Sequence, residues 1–239
     1  MRFRTRSVVA ALIATTVAAV LALIVAAPGT AACALVEFSG FEAVSDGVFA
    51  DRDSSPQQRR QIAELLSAAR SRITQTFGAP RAEPLVVFYD AADGIGPFRL
   101  NGYGSAEFFG DRACVLVGPK GRNVDVIAHE LMHAELFERV GYWRRFREVP
   151  IWFDEGVAMQ VDHRAQYDFS DPSSVEVSQV RQLESVRQFV AGDEQQLTWN
   201  YAAAKREVVQ WLAQVGERNL YRRLDRIGAG EAFNEATAP

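Results

Sequence analysis

"HELMHAELFERVGYWRRFREVPIWFDEG" occupies residues 129–156 and holds two of the chain's three histidines. His129 and His133 are four positions apart. On a helix, side chains at that spacing project from one face, one turn apart, and both imidazoles can reach a single ion. Glu130 lies beside them, turned about 100° around the axis. From there it reaches a water at the ion more readily than the ion itself. Two ligands and one base on a rigid rod are the physical content of His-Glu-x-x-His.

A catalytic zinc takes three protein ligands and keeps one position open. The spacing predicts a helix from about Val124 to Arg139, with Asn123 as its cap and Gly141 as its stop. The basic, aromatic segment Tyr142–Glu148 reads as a solvated loop, with contact to membrane or substrate as the other reading. Pro150 then opens a helix over about 151–163, with Glu155 just past its first turn. A connection of that length allows the two helices to cross. A carboxylate among Trp152, Phe153 and Val157 is costly unless it faces a cation. Asp154 meets the same argument, pointing some 100° away, so the residues leave Glu155 and Asp154 both open as the third ligand.

Together, "HELMH" and "WFDEGVA" resemble the gluzincin metallopeptidases of the thermolysin and aminopeptidase type, and most of all the smaller bacterial group described as peptidase MA-like. Trp152, Glu155, Gly156 and Ala158 fill that group's W-x-x-E-G-x-A pattern. "NYAAAKREVVQWLAQVG" resembles its later tyrosine-led helix and "RLDRIGAGEAFNEA" its C-terminal end, so the resemblance covers roughly 58–236. It implies a zincin-like fold and a zinc ion (Zn2+) bound by His129, His133 and Glu155. It also implies Glu130 as general base toward a metal-activated water. A tyrosine or histidine usually assists the oxyanion. Tyr201 takes that role by position, with His163 and Tyr142 as rivals, although Tyr201 also reads as a core tyrosine on an amphipathic helix. Asp162 reads either as a support for a ligand histidine or as a solvated helix charge. No amine-binding motif of the exopeptidases is matched.

Upstream, Asp46-Gly47 signals a hairpin within 41–50. Ser55, Pro56 and Gln58 form a capping box before a helix over about 56–77. "PLVVFYD" (84–90) and "ACVLVG" (113–118) read as strands, and the second is expected to line the cleft. Between them the glycine-rich 92–111 reads as loop with short strands, and "NGYG" (101–104) as part of the rim. Residues 169–174 read as loop and 175–190 as weakly helical. A stronger helix runs from Thr198 or Asn200 to Gly216, and a last one over 217–227. Strands with one helix come first, then helices alone. That order is α+β, a small mixed or antiparallel sheet followed by a helical C-terminal part.

The 239-residue chain is 48% hydrophobic with a net charge of −4, values that fit a folded domain and lack the basic face of a nucleic-acid binder. Arg2, Arg4 and Arg6 precede an apolar run over 8–27, then "PGTAACALVEF". The pattern predicts export: a signal peptide cut after Ala32 or Ala34, a retained membrane anchor with its arginines on the cytoplasmic side, or a lipidated Cys33. Residues 1–34 form that segment, 35–54 a short lead-in hairpin, and 55–239 a zincin-like catalytic domain. Outside the cytoplasm Cys33 and Cys114 can pair. A lone buried thiol at 114 is the other reading, and pairing excludes cleavage after Ala34.

The expected function is a zinc-dependent extracytoplasmic peptidase, secreted or anchored, acting on peptide or protein substrates. A membrane-tethered inactive binding module and a zinc amidase acting on cell-wall material are the alternatives. The sequence is silent on cleavage preference and oligomeric state.

Overall fold

The turn expected at Asp46-Gly47 forms. Gly47 takes φ +68°, a value glycine adopts without Cβ strain, and joins β1 (Phe41–Ser45) to β2 (Val48–Asp51) in an antiparallel pair. The computed structural model describes residues 15, 16, 22, 24–91, 94, 95, 98–168 and 177–239. β2 pairs in parallel with β3 (Leu85–Phe88). Further along the chain, β4 (Gly94–Ile95) and β5 (Phe98–Arg99) form a separate ribbon. β6 (Gly104–Phe109) pairs antiparallel with β7 (Arg112–Val117), and β7 pairs in parallel with β3. The result is a five-stranded mixed sheet of order β1-β2-β3-β7-β6.

This order corrects one expectation. β7, read as the strand that lines the cleft, is interior, with neighbours on both sides. The edge beside β7 is β6, inside the stretch read mainly as loop, and only an edge has a free row of backbone groups.

Alternation along the strands divides the core in two. Val86, Phe88, Val115 and Val117 face a large cluster formed with α2 (Pro56–Phe77) and α3 (Val124–Val140), while Val87, Tyr89, Cys114 and Leu116 face the other side. There α1 (Pro28–Ala34) packs, and Cys33 is disulfide-bonded to Cys114 with Cα atoms 6.2 Å apart. The two cysteines pair, so the lone-thiol reading falls.

α2 begins as expected: Ser55 N–H donates to Gln58 Oε1 at 2.7 Å, and Ser55 Oγ accepts from Gln58 N–H. α3 is buried around most of its circumference. The solvated loop at 142–148 is instead a helix, α4 (Tyr142–Glu148), because Arg145 turns inward. The next helix, α5, covers only Ile151–Ala158 and not 151–163. Beyond it Met159 and Val161 enter the core in irregular backbone. Gly156 lets α5 approach the later helix α7 closely, since a Cβ there would lie 2.5 Å from Ala204 O.

Residues 169–174, read as loop, lie outside the described residues, and so does most of the apolar run 8–27. Among the described residues no helix is long and apolar enough to cross a membrane. The weakly helical 175–190 contains a 3-10 turn (Val177–Gln182) and α6 (Val186–Phe189). α7 (Glu194–Val215) starts four residues before Thr198, because Asp193 caps it by accepting from Gln196 N–H at 2.8 Å. α8 (Leu220–Gly228) and α9 (Phe233–Ala236) complete the fold.

Asp125, in the first turn of α3, ties three parts together. It accepts from Arg72 of α2 at 2.6 Å and from His163 N–H at 2.9 Å. Burial acts to raise its pKa, but these donors outweigh it and hold the carboxyl below its usual range. A depressed carboxylate contributes stability above its unfolded pKa of about 4, and that stability is lost as pH falls through the lower folded value. Asp125→Asn should cost about 1 kcal/mol at neutral pH, given the partial exposure. It should also flatten the acid limb of the melting curve below about pH 4. Parallel acid limbs in parent and variant would remove this role.

Candidate metal centre

The crossing of α3 and α5 brings His129, His133 and Glu155 to one point. His129 Nε2 lies 3.1 Å from His133 Nε2, and Glu155 Oε2 lies 3.3 Å from the first and 3.4 Å from the second. The cluster can hold a metal ion. A tetrahedral ion bonded at the usual zinc–ligand lengths separates its ligand atoms by about 3.3 Å. The observed triangle has those edges.

An outer contact fixes which ring atom of His133 faces the centre. His133 Nδ1 is 2.7 Å from Asp154 Oδ1, whose other oxygen pairs with Arg145 at 2.5 Å. With Nδ1–H donated to Asp154, the neutral ring turns its Nε2 lone pair inward. His129 Nδ1 is 3.7 Å from the fully buried Asp162, beyond hydrogen-bond length, and Arg164 grips Asp162. Glu155 Oε2 is buried without a hydrogen-bond partner. Two ring nitrogens and a carboxylate oxygen thus meet within 3.4 Å of one another, a crowding that a shared proton or a cation resolves.

The titrating groups respond to that crowding. Burial opposes a charge on His133, yet Glu155 and Asp154 overcome it and lift its pKa well above the usual histidine value. Burial would raise Glu155, but His133 and His129 hold it well below the usual carboxylate range. Glu130 goes the other way: burial raises it, in spite of both histidines.

Glu130 lies beside the triangle, not in it, on the wall of a cleft of about 300 Å³ shared with His129, Tyr201, Arg164 and Gly104. A Cβ at Gly104 would sit 3.1 Å from Glu130 Cγ and 3.0 Å from Val126. Its absence leaves the Glu130 side chain its room at the end of β6. Asn101 and Tyr103 line the same cleft, as the rim reading of 101–104 expected.

Tyr201, from α7, reaches the cleft with its ring 6.1 Å from that of His129 and packs on Phe189 and Tyr167. The nearby Glu155 charge, and then burial, push its phenol well above the usual value. At neutral pH it is a hydrogen-bond donor. The two rivals are elsewhere. His163 is exposed, and Tyr142 packs on Phe137, Trp143 and Phe146 at the far end of α3.

Asp154, open as a ligand on sequence grounds, points away from the triangle and supports His133. Asp162 is a buried support rather than a solvated charge. Arg145 and Arg164 were not read as site residues, and no spacing flags them. The cationic partner of a buried second carboxylate is visible only once the helices cross.

Compared with known proteins, the chain matches no family model and no curated protein. The site is argued from its own geometry.

Asp154→Ala should lower zinc affinity about 10–100-fold, measured by competition with a chromophoric chelator on samples whose circular dichroism matches the parent. Unchanged affinity would deny the Arg145–Asp154–His133 chain any role in holding metal.

Proposed function

We propose that the chain is an extracytoplasmic zinc-dependent peptidase of the gluzincin type with a zincin-like fold, tethered to the membrane by its N-terminal apolar run. The observation that carries this reading is the triangle of His129 Nε2, His133 Nε2 and Glu155 Oε2, with zinc-like edges and an orphaned carboxylate oxygen. The disulfide supports the compartment, since such bonds persist where the milieu is oxidising.

Zinc held by these three residues supplies Lewis-acid chemistry, acidifying water and polarising a carbonyl. Glu130 then accepts a proton from the attacking water and delivers it to the leaving amine. Tyr201 donates its hydroxyl hydrogen to the oxygen on which negative charge develops. An extended substrate adds to the free edge of β6, whose Gly104 end opens on the cleft. The three-residue ligand set supports hydrolysis over a purely structural ion, which proteins usually close with four ligands.

Removal of metal with a chelator should abolish cleavage of a casein-like substrate, and added zinc should restore it. Glu130→Gln should keep stoichiometric zinc while lowering kcat about 10²–10⁴-fold. A Gln variant as fast as the parent would end its assignment as base. Zinc-dependent melting without turnover on any peptide pool would favour the binding-module reading. Turnover confined to cell-wall material would favour the amidase. Tyr201→Phe should lower kcat about 10²-fold with KM nearly unchanged. A change confined to KM would make it a packing residue of the cleft.

A further inference from the structure

α4 is a seven-residue helix with an unusual division of labour. It turns Arg145 inward, against Asp154 and over the Phe108 ring at 4.2 Å. Outward it presents Trp143, 69% exposed, and Phe146, 57% exposed. These two are three apart and share a helix face, and Arg147 lies over the Trp143 ring at 5.6 Å. Two large aromatic rings held in water, flanked by a long cationic side chain, have the composition of a bilayer interface. There rings sit at headgroup depth and arginine reaches phosphate.

The position of α4 gives that composition an occupant. The apolar run 8–27 ends at Pro28, the first residue of α1. α1 is held to the sheet by the Cys33–Cys114 bond and by Thr30 Oγ1 donating to Glu107 Oε2 at 3.0 Å. Gly29 lies so close that a Cβ would meet the Glu107 carboxylate at 2.1 Å. The chain therefore enters α1 beside Glu107 of β6, with Ile24 of the run packed against Ala31, Ala32 and Phe98. Phe108, the next residue on that strand, carries α4 on the opposite face. Glu107 and Phe108 thus set α1 and α4 at the same end of one edge strand, on its two faces.

We infer that the Trp143–Phe146 face of α4 rests in the headgroup layer of the phospholipid bilayer that the apolar run enters. A rigid α1 and a second contact at α4 fix the domain's orientation. The cleft lies at the Gly104 end of β6, about 14 Å along the strand from Phe108, within reach of chains that emerge from the same bilayer. The inference rests on the run being a retained anchor and is independent of hydrolysis.

The full chain, synthesised into phosphatidylcholine–phosphatidylglycerol vesicles with or without acyl-brominated phosphatidylcholine, tests both layers. Flotation with the vesicles reports the anchor, and failure to float sinks the anchor and this inference together. In floating protein, bromolipid should quench part of the tryptophan emission. That part should vanish in Trp143→Phe, a mild change at an exposed position, and shrink in Phe146→Ser, which leaves the fluorophore in place. Flotation with no quenching, or with quenching equal in parent and Trp143→Phe, overturns the α4 contact while sparing the anchor. Trp143 shielded from bromolipid within a cross-linkable dimer would assign the face to a second copy and equally overturn it.

Discussion

The structure depends on an imbalance of buried charge. Four carboxylates, Glu130, Asp154, Glu155 and Asp162, gather around two imidazoles in the interior or at its margin. Arg145 neutralises Asp154 and Arg164 neutralises Asp162. Glu130 and Glu155 are left, beside the inward ring nitrogens of both histidines. Taking an ion out of water costs several kcal/mol even after relaxation, so two unpaired carboxylates in one place need compensation. A divalent cation provides it in full. Protons provide a partial substitute, which is the physical sense of the raised pKa values of His133 and Glu130.

The rest of the architecture serves to hold that imbalance. α3 is packed against sheet, α2, α5 and α8, so its two histidines cannot swing apart. α5 reaches it because Gly156 lets α5 press against α7, and α7 in turn carries Tyr201 to the same cleft. α5 stops at Ala158 so that the chain can double back and deliver Asp162 toward His129.

What was legible in the sequence follows from which signals are local. His129, His133 and Glu130 are set by one helix's pitch, and the α2 capping box is a contact between neighbours in the chain. The helix and the box both form where the sequence places them. Glu155 against Asp154 was undecidable from spacing, because the choice depends on how α5 is rotated. Arg145 made α4 look like solvent-exposed loop, since its burial comes from Asp154, nine positions away, and Phe108 in the sheet. The first three residues of α7, Glu194–Gln196, are polar and carry no apolar stripe, so the periodicity reads as starting later. β6 was obscured by its glycine, and Gly104 is the residue whose missing side chain leaves Glu130 its space. The features that a sequence pattern hides here are largely those created by contacts between elements.

A zinc site can persist in a protein that only binds, so the ligands alone do not distinguish hydrolysis from stability. The surroundings bear on the choice. A site kept for stability gains nothing from an open coordination position or from a fourth carboxylate nearby, since each adds buried charge without a partner. Here Glu130 sits off the ligand triangle, on the cleft wall, and Gly104 leaves it room to move. Tyr201 supplies a protonated hydroxyl across from it. Under the proposed peptidase reading, Glu130 and Tyr201 on the shared cleft beside the three-ligand cluster would be the base and the donor that water attack on an acyl carbon requires, and both would be superfluous to a structural ion.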